Sequence, residues 1–208
     1  MLEHVYLIPL IPLAASLVIL FAGKEGAGGY DYKEIQRKRL IDYRRTHEAV
    51  VPVDYPTNLP RARQLGYKAK QGIAIARVRI RRGSGLHRRP VKGRRPKRMG
   101  VQKLTRRLSI QSMAEQRANR RYPNCEVLNS YKIGQDGQHH YFEVILVNPS
   151  EPAIASDKSF AWLAHGSHAN RAFRGKTSAG KKSRGLRKKG RGAEKIRPSQ
   201  RAHSRKAK

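Results

Sequence analysis

The sequence predicts an α+β protein, a small antiparallel sheet with packed helices that carries a long basic loop and a basic C-terminal tail. Three observations lead there. Residues 73–82 alternate apolar side chains with arginines, and residues 126–133 and 138–147 form two β-rich runs about a Gly-Gln-Asp-Gly turn. Around them, long stretches of Lys, Arg, Gly and Pro show no apolar period. Apolar residues make up 38% of the 208, enough for one modest core but not for burial along the whole length.

Taken in order, residues 30–46 read as a basic helix, with Ile35 and Leu40 as sparse apolar points among Arg37, Lys38, Arg39, Arg44 and Arg45. Pro52, Pro56 and Pro60 then dictate an extended connection, since each biases its predecessor away from helix, and helix resumes at Arg61. In the strand 73–82, Ala74, Ala76, Val78 and Ile80 face a core while Arg77, Arg79 and Arg81 point the other way. Residues 104–121 read as an amphipathic helix with Leu104, Leu108, Met113, Ala114 and Ala118 along one side, stopped by Pro123. In the hairpin turn Gly134-Gln135-Asp136-Gly137, the Asp-Gly pair permits the positive φ angles a tight turn demands. Its second strand is apolar at both alternating sets of positions, so it is expected to be central and covered on both faces. A short helix is expected around Phe160–Leu163. From Arg171 onward, 38 residues hold 16 Lys or Arg and one acid, Glu194, which reads as a tail without a core.

Residues 5–22 carry no charge over 18 positions, the lower edge of a membrane span, although Pro9 and Pro12 interrupt the first half. Glu3 and His4 stand where a signal peptide would have a basic cluster. This stretch is either a span, with the basic mass after it on the cytoplasmic side, or an extension that came by fusion or a displaced start codon. The chain therefore divides into an apolar and Gly-rich extension (1–29), a core (30–164) with a basic loop (83–103), and a basic tail (165–208).

Charge decides the class of partner. Lys and Arg number 46 against 14 Asp and Glu, a formal net of +32. So unbalanced a chain repels itself when compact, and a dense polyanion would relieve that repulsion. Nucleic acid comes first, because each neutralised phosphate releases a counterion, and an acidic membrane surface second. Between Arg61 and Ala114 there are 18 Lys or Arg and no acid. The loop 83–103 should be disordered alone in water and fold on nucleic acid, where arginine makes forked contacts to phosphate and stacks on bases.

Catalytic patterns are missing. Gly175–Lys181 (GKTSAGK) fits seven positions of a phosphate-binding loop, but the eighth is Lys182 where a magnesium-ligating Ser or Thr is required. His139, His140, His165 and His168 lack the further ligands a metal needs, and Cys125 alone excludes an internal disulfide or a cysteine-based zinc site. No enzyme activity and no cofactor is expected.

The strings ARQLGYKAKQG (62–72), RRPKRMG (94–100), EVLNSYKIG (126–134), YFEVILVNP (141–149) and FRGKTSAGKKSRGL (173–186) stand in order along the chain. Together with GAEKIRPSQRA (192–202), which is archaeal in style, they resemble the fifteenth e-type large-subunit ribosomal protein family of archaea and eukaryotes. The resemblance runs from about Tyr30 to the end, and residues 1–29 depart from it. It implies a small α+β core with an antiparallel sheet, basic extensions that thread through large-subunit ribosomal RNA, neighbouring ribosomal proteins as contacts, no catalysis and no small-molecule substrate. By position, the phosphate-binding candidates it implies near the core are Arg61, Arg63, Lys68, Lys70, Arg77, Arg79, Arg81 and Arg82. In the loop they are Arg88, Arg89, Lys92, Arg94, Arg95, Lys97 and Arg98. In the tail they are Arg174, Lys176, Lys181, Lys182, Arg184, Arg187, Lys188 and Lys189, with Thr177, Ser178 and Gly180 shaping the backbone.

The expected role is thus a structural constituent of the large ribosomal subunit in the cytoplasm. The alternative is a membrane-anchored basic protein that binds anionic lipid or nucleic acid, and it requires residues 5–22 to be a genuine span. Removal of residues 171–208 is expected to leave the core folded but to prevent stable incorporation into the subunit.

Overall fold

The computed structural model describes residues 31–187. Residue contacts divide the chain into two units, Met1–Asp42 and Tyr43–Lys208. In the first, the described residues belong mainly to helix α1 (Tyr32–Arg45), found where the basic helix is expected. Asp31 opens it by accepting the Lys33 N–H at 2.9 Å, and Glu34 pairs with Lys38 one turn on at 2.9 Å. That pair is exposed and worth only a few tenths of a kcal/mol.

The second unit carries one sheet of four antiparallel strands: β1 (Val50–Val53), β2 (Ile73–Arg81), β3 (Glu126–Gln135) and β4 (His139–Val147), in the order β1-β2-β4-β3. Its helices are α2 (Leu59–Gln64), α3 (Ile110–Arg121), α4 (Pro152–Ala155) and α5 (Ser178–Ser183). The fold is α+β, as the alternation and the hairpin predict. β4 is central, and every residue from Tyr141 to Val147 is buried.

The sheet is covered on both faces. On one, α3 lays Ala114 and Ala118 against Ala76, Val78 and Ile80 of β2 and Phe142, Val144 and Leu146 of β4. On the other, α2 brings Ala62 to Tyr131 and Ile145, while α4 and the turn Ala161–Ala164 bring Ile154 and Leu163 to Val147.

Several local expectations give way to specific contacts. Pro52 sits inside β1, an edge strand, where a missing N–H costs no ladder bond. Pro60 stands in the first turn of α2, capped by Asn58, whose side chain accepts the Arg61 N–H. Ala74 is exposed rather than buried, because the β1 ladder stops at Ile75 and leaves Ala74 without a neighbour on that side. Helix α3 starts at Ile110 rather than 104, since Ser109 accepts the Ser112 N–H and caps it. Leu104 and Leu108 consequently lie outside the helix, exposed. In the hairpin, Gly134 and Gln135 belong to β3, and Gly137 does not use a positive φ. The turn is closed by Asp136 Oδ1, which accepts the N–H groups of Gln138 (2.7 Å) and His139 (2.5 Å).

The largest correction concerns the region from Arg171 to Ser183. It is no coreless tail: Arg171, Ala172, Thr177 and Ala179 are buried. The edge strand β3 breaks register between Val127 and Asn129, and the Arg171 guanidinium takes the carbonyls of Val127 (3.0 Å) and Leu128 (3.4 Å) there. In exchange, the Glu126 carboxylate accepts the backbone N–H groups of Asn170 and Arg171. Glu115 of α3, fully buried, accepts the hydroxyls of Ser130 on β3 and Thr177, each at 2.5 Å. One carboxylate therefore ties helix, sheet and C-terminal segment. The GKTSAGK string serves packing: Gly175 takes φ +64, and a Cβ on Gly180 would stand 2.6 Å from the Gly175 Cα.

Two outcomes follow for stability. Glu115→Ala strands two buried hydroxyls and is expected to cost about 2–4 kcal/mol in urea unfolding at fixed high salt. Truncation after Asn170 is expected to abolish the cooperative transition that the full chain shows in the same buffer, because it removes Arg171, Ala172 and Thr177 from the core.

Candidate nucleic-acid interface

The strand arginines are the least free of the sequence-picked cations. Arg77 lies over the Tyr43 ring at 4.2 Å, and Tyr43 in turn packs on Tyr141 at 5.3 Å. Arg79 donates to the carbonyls of Thr46 (2.8 Å) and His47, fastening the chain that leads into β1. Arg81 is exposed, and Arg82 donates to the Asp136 carbonyl at 2.9 Å. Alternation with apolar residues thus marks the arginine face correctly, but two of its members are half-buried and bonded within the fold.

Lys68 and Lys70 meet on Asp157 Oδ2, at 3.1 and 2.7 Å, while Ser159 donates its N–H and hydroxyl to Oδ1. These contacts, the Lys70 ammonium first, hold the Asp157 carboxyl far below the usual carboxylate range. Arg61, exposed, bonds Gln64, and Arg63 is exposed beside it.

The loop after β2 is where cations stand open. Arg88, Arg89, Lys92, Arg94, Arg95, Lys97 and Arg98 are all exposed. A single 3-10 turn, Pro96–Arg98, and a bond from Arg89 to the Met99 carbonyl shape the loop. Arg94, Arg95, Lys97 and Arg98 line one concavity of about 550 Å³ that includes no acid. Further along, Arg174 and Lys176 both donate to the Ser167 carbonyl, and Arg184 reaches the carbonyls of Arg174 and Gly175 at 3.5 Å. Lys181 and Lys182 are exposed on α5, and Arg187 bonds Ser178. Lys188 and Lys189 lie outside the described residues, as does the apolar stretch 5–22.

Four further cations escape the position-by-position reading: Arg106, Arg107, Arg117 and Arg120, which line a second concavity with Leu108, Met113 and Gln116. A signal for Arg117 and Arg120 is present, because positions 113, 116, 117 and 120 share one helical face. Among the described residues no helix is long and apolar enough to cross a membrane, and no three His, Cys, Asp or Glu side chains gather as a metal would require. The thiol of Cys125 is pushed up by burial, then by the charge of Glu126, and packs at the edge of the core.

A small α+β core that buries Glu115, Glu126 and Glu143 while arginines crowd its surface defines a basic protein of the polyanion-binding class. The comparisons name the family. Residues 27–203 match the model of the e-type ribosomal family described as Ribosomal L15. The chain is also 55% identical, over 175 residues, to the large ribosomal subunit protein eL15 of the archaeon Methanocella arvoryzae, covering 84% of this chain and 89% of that protein. The chain belongs to this Ribosomal L15 family, a family of ribosomal proteins and not of enzymes.

Acid sensitivity resides at the hairpin turn. Burial pushes the Asp136 carboxyl up, but donors from His139, Tyr141, Gln138 and Arg44 together outweigh it and hold it at about 2. A carboxyl held below its unfolded value contributes stability above about pH 4, and loses it as the pH falls toward 2. Asp136→Asn keeps an acceptor for the turn but gives up the charge that Arg44 and Tyr141 meet. It is expected to cost about 1–2 kcal/mol at pH 7, with the gap to wild type closing by pH 2 in a pH series of urea midpoints.

Proposed function

We propose that the protein is a structural constituent of the large ribosomal subunit, working in the cytoplasm without catalysis. It binds large-subunit ribosomal RNA through phosphate contacts and touches neighbouring ribosomal proteins. The observation that carries this reading is the separation of charge within the fold. The carboxylates of Glu115, Glu126, Asp136, Glu143 and Asp157 are each occupied by donors from the chain itself. The cations of the loop between Arg88 and Arg98 stand exposed, and four of them, Arg94, Arg95, Lys97 and Arg98, line a concavity that no acid lines. Such a surface needs a partner that brings many negative charges at close spacing, as the backbone of folded RNA does.

Within this reading the cations divide into two roles. Arg88, Arg89, Lys92, Arg94, Arg95, Lys97, Arg98, Arg81, Arg61, Arg63, Lys181 and Lys182 are available to phosphates as they stand. Arg77, Arg79, Arg82, Lys68, Lys70, Arg174, Lys176, Arg184 and Arg187 first hold the fold together and reach RNA with whatever donors remain. The basic extension 165–208 acts in the same way beyond the residues that dock on β3.

Two measurements test the proposal. The tagged chain should sediment with large subunits and come free only at molar salt; co-sedimentation with membranes that yields to detergent would overturn it. In filter binding to large-subunit RNA fragments, replacing Arg94, Arg95, Lys97 and Arg98 together by alanine should lower the slope of log affinity against log salt by about 3–4. An unchanged slope would remove the loop from the interface.

A further inference from the structure

The concavity beside α3 differs in kind from the rest of the basic surface. It is an open concavity of about 470 Å³, within the range of small-ligand sites, and the apolar part of its lining, taken as its floor, is Leu108 and the thioether of Met113. Four arginines, Arg106, Arg107, Arg117 and Arg120, make up its basic part, taken as its rim, and no acidic residue lines it. A bare phosphate would use the rim and leave the floor wet. A purely apolar ligand would leave four cations without a counter-charge. The occupant that matches both parts carries a flat, polarisable face and a negative charge a few ångströms apart.

The rim is also fixed in advance. Arg106 Nε donates to the Gly83 carbonyl and Nη2 to the Arg81 carbonyl, both at 2.8 Å, which hold the plane of its guanidinium. A third donor of the same group, Nη1, lies 3.4 Å from Met113 Sδ, so floor and rim are held together. Arg117 is anchored on the Arg79 carbonyl at 3.2 Å, and Arg120 lies over the Phe173 ring at 5.7 Å. An arginine already immobilised meets a phosphate with little further loss of side-chain freedom. Gln116 supplies one amide donor and one acceptor at the same concavity, suited to the edge of a base.

From this geometry we infer that the concavity receives a single unpaired RNA nucleotide, extruded from its helix, with its base on Leu108 and Met113 and its phosphate on the arginine rim. The inference rests on the RNA-binding reading and sharpens it: this part of the surface reads an unstacked base as well as its phosphate. A duplex cannot fill the floor, since its bases remain in the stack.

The test uses the full-length chain and two hairpin RNAs, identical except that one carries a single bulged 2-aminopurine. The bulged RNA should bind about tenfold more tightly than the paired one at equal salt, as stacking of one base predicts, and its emission should rise as the base leaves the stack. Leu108→Glu places a carboxylate on the floor at an exposed position outside any helix. It should reduce the preference to less than about twofold, while Tyr55→Glu, the same charge change at another exposed residue that does not line the concavity, should keep it. Equal, salt-sensitive binding of both RNAs with no change in emission overturns the nucleotide site and leaves the RNA reading standing. A preference that survives Leu108→Glu places the bulge elsewhere and overturns the site as well. Loss of salt-sensitive binding to either RNA would sink the underlying reading itself.

Discussion

The fold depends on where a strongly cationic chain puts its few acids. Only 14 of 208 residues are Asp or Glu, and the most deeply placed of them are not spent on surface ion pairs. Glu115 and Glu143 are fully buried. Glu115 joins α3 to β3 and to the segment at Thr177 through two hydroxyls. Glu143, at the centre of β4, accepts the Thr57 N–H at 3.1 Å and the hydroxyls of Thr57 and Tyr131, and so fastens the connection between β1 and α2 to the sheet. Burial of a carboxylate is expensive unless every acceptor site is used. Here the donors are hydroxyls of β3 together with the hydroxyls of Thr57 and Thr177 and the Thr57 N–H, which lie outside the sheet. The acids hold in place what hydrophobic contact alone would not.

That arrangement explains how the surface stays charged. Were the same carboxylates spread over the outside, they would pair with lysines and arginines in high dielectric, at little gain in stability and at the cost of the positive field. Turned inward, they leave the field of the loop and of α5 undiminished. At Asp157, which meets the exposed cations Lys68 and Lys70, the contact ties the connection between α2 and β2 to the turn after α4. The two roles of a cation, fastening the fold and meeting a polyanion, are thereby divided among different residues rather than shared by all.

Much of this was legible in the sequence, for reasons that can be named. Alternation in 73–82 and 139–147 reports a pleated strand directly, and the double apolar set of β4 reports its central place. The start of α3 was misread because Leu104 and Leu108 continue the apolar period, while Ser109, one hydroxyl, takes the cap and ends it. The segment 171–183 was misread for a deeper reason. What it buries is an arginine, a threonine and two alanines, and a polar side chain enters the core only because Glu115, Glu126 and the broken register of β3 already offer partners. No period in the segment itself records those partners. The apolar-floored concavity was missed on similar grounds, since its arginines come from two stretches that meet only in the folded chain.

Glu115 and Asp136 respond to pH in opposite senses, and this bears on how the protein behaves before it finds its partner. Burial raises the Glu115 carboxyl, against the opposing hydrogen bonds of Ser130 and Thr177 and the charge of Arg171. A raised carboxyl favours the fold below its unfolded value and gives that advantage up as the pH climbs through its folded value, whereas Asp136 does the reverse at the acid end. The core is therefore most secure in the window between them, with its acids satisfied from within. Repulsion among the surface cations is a separate matter, uniform across that window because arginine does not titrate there. Protonation sets whether the centre holds; ionic strength and polyanion set what the exposed arginines do. The separation of acids from cations in space makes these two dependences separable in the test tube.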